Sequence, residues 1–160
     1  MEMILLPAKA SYLAPDGSQI RELLRIQGAN FAHCLLPAGQ TTKAVKHKTV
    51  EEIWYITRGL GQIWRKFDDR EIVDDLFPGV CLTIPVGTHF QFRNTSPDSL
   101  EIMIATSPPW PGGRSSTITS STRNSIRSRT SPGARRWGQI RTSPSRIAIP
   151  SSAMSLEPMA

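Results

Sequence analysis

Short apolar runs alternate with polar positions from Ser11 to about Thr106, broken by Gly, Pro and Asp. Val, Ile, Leu, Phe and Trp recur at every second position, the period of a half-buried strand rather than of a helix. The pattern predicts strands at Ile20–Ile26, Ala32–Leu36, Ala44–His47, Glu52–Arg58, Gly61–Lys66, Glu71–Leu76, Cys81–Ile84, His89–Asn94 and Leu100–Thr106. Turn-forming groups separate them, among them Pro37-Ala38-Gly39, Phe67-Asp68-Asp69, Pro78-Gly79 and Pro85-Val86-Gly87. Arg21–Arg25 has the propensity for a helical turn, but its neighbours place it in a strand. Strands this short, recurring about every 8–12 residues, predict an all-β sandwich or barrel.

The alternation stops at Gly113. Beyond it Ser, Thr, Arg and Pro dominate, and Ile118, Ile126, Trp137, Ile140, Ile147 and Ile149 stand isolated. Such a segment buries too little apolar surface to offset its ordering entropy. Residues 1–112 are therefore expected to form one domain, and 113–160 a disordered Ser/Arg/Pro-rich tail.

Charge follows the same division. The net +6 of the 160-residue chain combines 11 Lys and Arg against 12 Asp and Glu in residues 1–112 with 8 Arg against the single Glu157 beyond them. The basic balance belongs to the tail, so the domain carries no nucleic-acid signature. Arg-rich disordered segments do bind phosphate, which leaves nucleic acid as a minor reading of the tail alone. A second reading is a frameshift product or an unselected extension. The run from Ile102 to Leu156 has no acidic residue, and Gly112-Gly113-Arg114-Ser115 is compatible with DNA that reads Ala-Asp-Glu-Ala one base on.

No apolar run reaches the roughly 18 residues of a membrane span. Met1–Pro7 lacks the basic start and longer apolar stretch of a secretory leader. Cys34 and Cys81 are isolated among apolar neighbours and read as reduced, buried small hydrophobes. The expectation is a cytoplasmic protein.

Two stretches resemble the paired motifs of the cupin superfamily. Gly39 to Gly59 is similar to G-x5-H-x-H-x(3,4)-E-x6-G, with Gly39, His47, Glu52 and Gly59 in place and Val45 where the first histidine belongs. Gly79 to Asn94 is similar to G-x5-P-x-G-x2-H-x3-N, with Gly79, Pro85, Gly87 and Asn94 in place. Phe90 occupies the histidine position there, and His89 lies one residue early. Pro108-Pro109-Trp110-Pro111-Gly112 and Gln91-Phe92-Arg93-Asn94 add to a likeness with small bacterial single-domain cupins, some described as sugar-isomerase-like. The resemblance covers about residues 11–112. It implies a short jelly-roll β-barrel, a homodimer, and a central pocket.

It also implies a divalent metal (Mn, Fe, Ni, Zn or Cu) held by three histidines and a glutamate. Here that donor set is depleted. Val45 shares a strand face with His47 but cannot donate, and alternation turns His89 away from the face of Phe90 and Phe92. His47 and Glu52 remain as matched ligands, and His89 joins them only through a bulge or a one-residue slip. Glu51 is the solvated neighbour. Two protein ligands are too few for a retained metal, since catalytic zinc keeps three. No resident metal is therefore the favoured expectation.

Without a metal, His47 beside Glu52 reads either as an acid–base pair or as a satisfied polar pair in an apolar barrel. Trp54, Trp64, Phe90 and Phe92 are expected to line an aromatic pocket around them, suited to a small organic ligand. Trp64 is the expected inward neighbour of Arg65. His33 is expected to be structural or exposed, and Lys43, Lys46 and Lys48 a solvated face or a rim that attracts an acidic ligand. Gly59-Leu60-Gly61 is a hairpin turn rather than a phosphate loop. The expected function is small-molecule binding by a cupin with a degenerate metal site. The alternatives are a metal-dependent isomerase or dioxygenase, and an interaction unit with no ligand.

Overall fold

The computed structural model describes residues 1–111 and the strand Ser116–Ile118. Eleven strands follow in chain order: β1 Tyr12–Leu13, β2 Gln19–Arg25, β3 Asn30–Leu36, β4 Val45–His47, β5 Glu51–Arg58, β6 Gly61–Phe67, β7 Arg70–Leu76, β8 Cys81–Ile84, β9 His89–Asn94, β10 Leu100–Ser107 and β11 Ser116–Ile118. Each strand expected from the alternation is present, within two residues at either end. Arg21–Arg25 is extended, because it pairs with β3 as part of β2. β1 was not expected, since two residues carry no readable period. The expectation for residues 113–160 lies outside the described residues, apart from β11.

The strands form two antiparallel sheets, ordered β1-β2-β3-β10-β5-β8 and β11-β4-β9-β6-β7. This is the jelly-roll arrangement. The sheets face each other across the core and are not hydrogen-bonded into a closed barrel. Sequence-distant strands become neighbours, as when β10 lies between β3 and β5.

Strand alternation decides what enters the core. On β5, Glu52, Trp54 and Ile56 are buried, while Glu51, Ile53 and Tyr55 are exposed. On β9 the inward set is Phe90, Phe92 and Asn94, and on β10 it is Leu100, Ile102, Ile104 and Thr106. Burying an apolar side chain of this size contributes about 1.5–3 kcal/mol. Cys34 is buried as expected, but Cys81 is exposed. β8 alternates with Leu82 and Ile84 inward, which turns Cys81 out.

Two motif residues hold the frame. Gly59 turns the β5–β6 hairpin at φ 83°, and a Cβ there would collide with the Ser99 carbonyl oxygen. Asn94 is buried, and its Nδ2 donates to the carbonyls of Leu36 (3.0 Å) and Asp98 (2.7 Å). Its Oδ1 accepts from the backbone N–H and the hydroxyl of Ser96, each at 2.8 Å. All its side-chain bonding goes into the turn and β3, so its role is structural.

Candidate functional site

A cavity with about 60 Å³ of water-accessible space, open on one side, lies between the inner faces of the two sheets. Val45 and His47 reach it from β4, Glu52 and Trp54 from β5, and Phe90 and Phe92 from β9. Each pair is spaced by two, so both members share the inward face of their strand.

His47 and Glu52 meet, with Nε2 3.2 Å from Oε2, and both are buried. Glu52 has other partners too. Trp54 Nε1 donates to Oε2 at 2.8 Å, and the Thr106 hydroxyl donates to Oε1 at 3.3 Å. Rings surround the pair. The His47 ring centroid lies 5.0 Å from that of Phe90, and Trp110 sets its indole edge-on to His47 at 5.3 Å and 72°. Trp54 meets Phe90 and Phe92 edge-on at 5.5 and 5.0 Å. Asn30 holds Trp110 in place, its Oδ1 accepting the Trp110 backbone N–H at 2.7 Å.

The strand pattern did not foretell a second polar group in the wall. Asp16 is 8 % exposed, and its Oδ1 accepts from the Ser18 backbone N–H (2.8 Å) and hydroxyl (2.7 Å). Burial raises its pKa above the usual carboxylate value, against the Ser18 hydrogen bonds. Tyr12 lines the cavity nearby. Burial, then the charges of Glu22 and Glu52, push its hydroxyl up to about 12. Burial first, then Asp16, raises the Cys34 thiol, so Cys34 is an inert wall residue rather than a nucleophile. Asp16 stands in Ala14-Pro15-Asp16-Gly17-Ser18, which reads as a turn, and a turn aspartate is ordinarily assigned to its own backbone. Trp110 carried the one available signal, as the aromatic residue of a Pro-rich segment after the last long strand.

Two expected site residues, Trp64 and His89, stand elsewhere. Trp64 is buried but sits on the other face of β6, across from Val73 and Gln91, where its Nε1 donates to Glu71 Oε1 at 2.8 Å. Arg65 is instead opposite Phe90, and it reaches the Thr83 carbonyl and the Asp74 carboxylate rather than the cavity. The choice of Trp64 over Arg65 as inward neighbour is thus reversed, because β6 pairs Ile63 with Phe92. His89 lies opposite Lys46 and Lys66 on the outer face, and burial, then those two cations, lowers its pKa. β9 runs without the bulge that would bring His89 beside His47. His33 is buried on the outer side of β3, with Nε2 3.2 Å from Glu101 Oε2.

The donor set does not fit the metal that the fold family implies. Among the described residues no three His, Cys, Asp or Glu side chains gather as a metal group. Val45 and Phe90 fill the two lost imidazole positions, and both oxygens of Glu52 already accept hydrogen bonds. No chemical step is therefore routed through a metal.

No family model matches the chain. An uncharacterized protein of Methanocaldococcus jannaschii is 33% identical over 104 residues, covering 62% of this chain and 80% of that one. The Cnp3 cupin domain of Schizosaccharomyces pombe superposes with a TM-score of 0.51 at 14% identity, covering 57% of this chain and 61% of that one. The chain has the cupin fold. A double-stranded β-helix protein of Klebsiella pneumoniae gives a TM-score of 0.53 at 14% identity, over 64% of this chain and 84% of that one. The capsular polysaccharide assembling protein CapF of Staphylococcus aureus gives 0.54 at 13% identity, over 63% of this chain. This chain spans only 29% of CapF's length. At these identities the solved structures speak for the fold alone. Among the described residues no helix is long and apolar enough to cross a membrane.

Proposed function

We propose that this cupin is a small-molecule binding module whose cavity does its work without a resident metal. The bonding of Glu52 carries the reading. The residue at the metal-ligand position spends its oxygens on Trp54 and Thr106, while Val45 and Phe90 wall the cavity with carbon. A cavity lined mainly by apolar and aromatic groups, with a few convergent polar atoms, suits an organic ligand.

A thermal-shift screen of a small-fragment collection tests it, run beside elemental analysis of protein treated with chelator and then reloaded. The expected outcome is stabilising fragments, lost in Ala32→Phe, which fills the cavity, and less than one metal per ten chains. Stoichiometric metal that disappears in His47→Ala would replace this reading with the metal-dependent enzyme. The closeness of His47 to Glu52 favours that alternative, since a carboxylate-oriented imidazole can move a proton.

The partner of this reading is a second copy of the chain. The outer face of the six-stranded sheet exposes Phe31, Ile53 and Tyr55 on adjacent registers across β10, an apolar strip that a homodimer would cover. Light scattering on Ile53→Glu, expected to halve the solution mass, tests the dimer.

A further inference from the structure

We infer that the ligand of this cavity is a small organic cation, an amine or alkylammonium, with Asp16 as its counter-ion and the aromatic rings as its cage. The inference rests on the binding reading above and names the class of ligand.

Charge gives the first argument. Two carboxylates, Asp16 and Glu52, line the cavity, and among the described residues no Lys or Arg does. An anionic ligand would have to be desolvated against both carboxylates with only His47 to offset them. A cation meets compensation instead.

The bonding of Asp16 gives the second. Its Oδ1 is occupied twice by Ser18, while its Oδ2 makes no hydrogen bond among the described residues. The side chain is nonetheless more than nine-tenths buried in the cavity wall. Glu52 already has Trp54, Thr106 and His47 beside it. Asp16 is thus the carboxylate with a coordination place to offer. Ser18 fixes its rotamer, so the place is preorganised.

The walls give the third. Tyr12, Trp54, Phe90, Phe92 and Trp110 all contribute surface to the cavity. Ring faces attract cations and have no corresponding attraction for anions, and the effect grows where water is excluded. Aromatic walls with one buried carboxylate recognise an alkylammonium by shape and charge together.

Isothermal titration of the full chain with three isosteric probes tests the inference: choline, its neutral carbon analogue 3,3-dimethylbutanol, and the anion 3,3-dimethylbutanoate. The expected result is choline binding at least tenfold tighter than the neutral probe, with the anion weakest. Asp16→Asn keeps the Oδ1 bonds to Ser18 and should remove the preference for choline over the neutral probe. Circular dichroism checks that this variant is folded, and Asp16→Glu should restore part of the preference if the fold is retained. Equal binding of the charged and neutral probes, preference for the anion, or an Asp16→Asn variant that still prefers choline would overturn the inference. No binding by choline would overturn it too. If the fragment screen then yields neutral ligands, the cation class fails alone. If the screen is also empty, the binding reading fails with it.

Discussion

Trp54 Nε1 donates to Glu52 Oε2 at 2.8 Å from two residues further along the same strand. The spacing of two puts both side chains on one face, so the indole lies over the carboxylate. The carboxylate at the metal-ligand position is thus satisfied in part by the strand's own next inward residue. Trp54→Phe keeps most of the packing and removes the donor. It should cost about 1–3 kcal/mol, the range for leaving a buried polar group short of a partner. Urea unfolding measures it, and a midpoint unchanged from wild type would mean that the bond contributes nothing.

Restoring donors should restore metal binding. Val45 and Phe90 are cross-strand partners, so Val45→His with Phe90→His sets two imidazoles opposite each other beside His47 and Glu52. The double variant should retain close to one Ni or Mn per chain after reloading, where the wild type retains little. Elemental analysis decides. Equal metal content in the two proteins would show that Val45 and Phe90 are not what the site lacks.

Asp16 should make stability fall as pH rises. Its folded pKa is raised, chiefly by burial, so between the unfolded value and the folded one the native state holds more protons than the unfolded state. The sign is opposite to that of a salt-bridged carboxylate. The contribution is fully present below the unfolded value near 3.8 and is lost as pH climbs through the raised folded value. Asp16→Asn removes this decline while keeping the Oδ1 acceptor. Urea midpoints from acid to neutral pH should fall less steeply in the variant, and parallel profiles would show that Asp16 titrates normally.

Gly59→Ala should destabilise the whole domain. The residue combines a left-handed backbone with a Cβ position that meets the Ser99 carbonyl, and neither can relax without moving β10. A loss of about 2–3 kcal/mol is expected, the upper part of the range for a non-glycine residue held in such a conformation. Thermal unfolding checks it, and Gly28→Ala, where a Cβ meets nothing, serves as the neutral control.

The frame was readable because it depends on local rules. Alternation placed the strands, and the motif glycines Gly39, Gly59, Gly79 and Gly87 all stand at positive φ. The side of β9 that His89 faces also followed from counting by two. Trp64 was misplaced because counting fixes the period of a strand but not its phase, and on β6 the pairing of Ile63 with Phe92 sets the phase. Asp16, Tyr12 and Thr106 were missed for another reason. They reach the cavity through the topology, which brings the first strands and the end of β10 to one wall, and no local pattern encodes that meeting.

The pairing of β11 with β4 bears on how the protein can be shortened. Ser116 stands opposite His47, and Ile118 opposite Val45. Cutting the chain after Gly112, where composition suggests a domain should end, removes that cover and leaves β4 as the bare rim of its sheet. An uncovered rim offers its backbone groups to any extended segment that passes, including another copy's. A truncated form is therefore prone to self-association along the strand that carries His47. A form ending after Ile118 keeps β4 paired along its outer side.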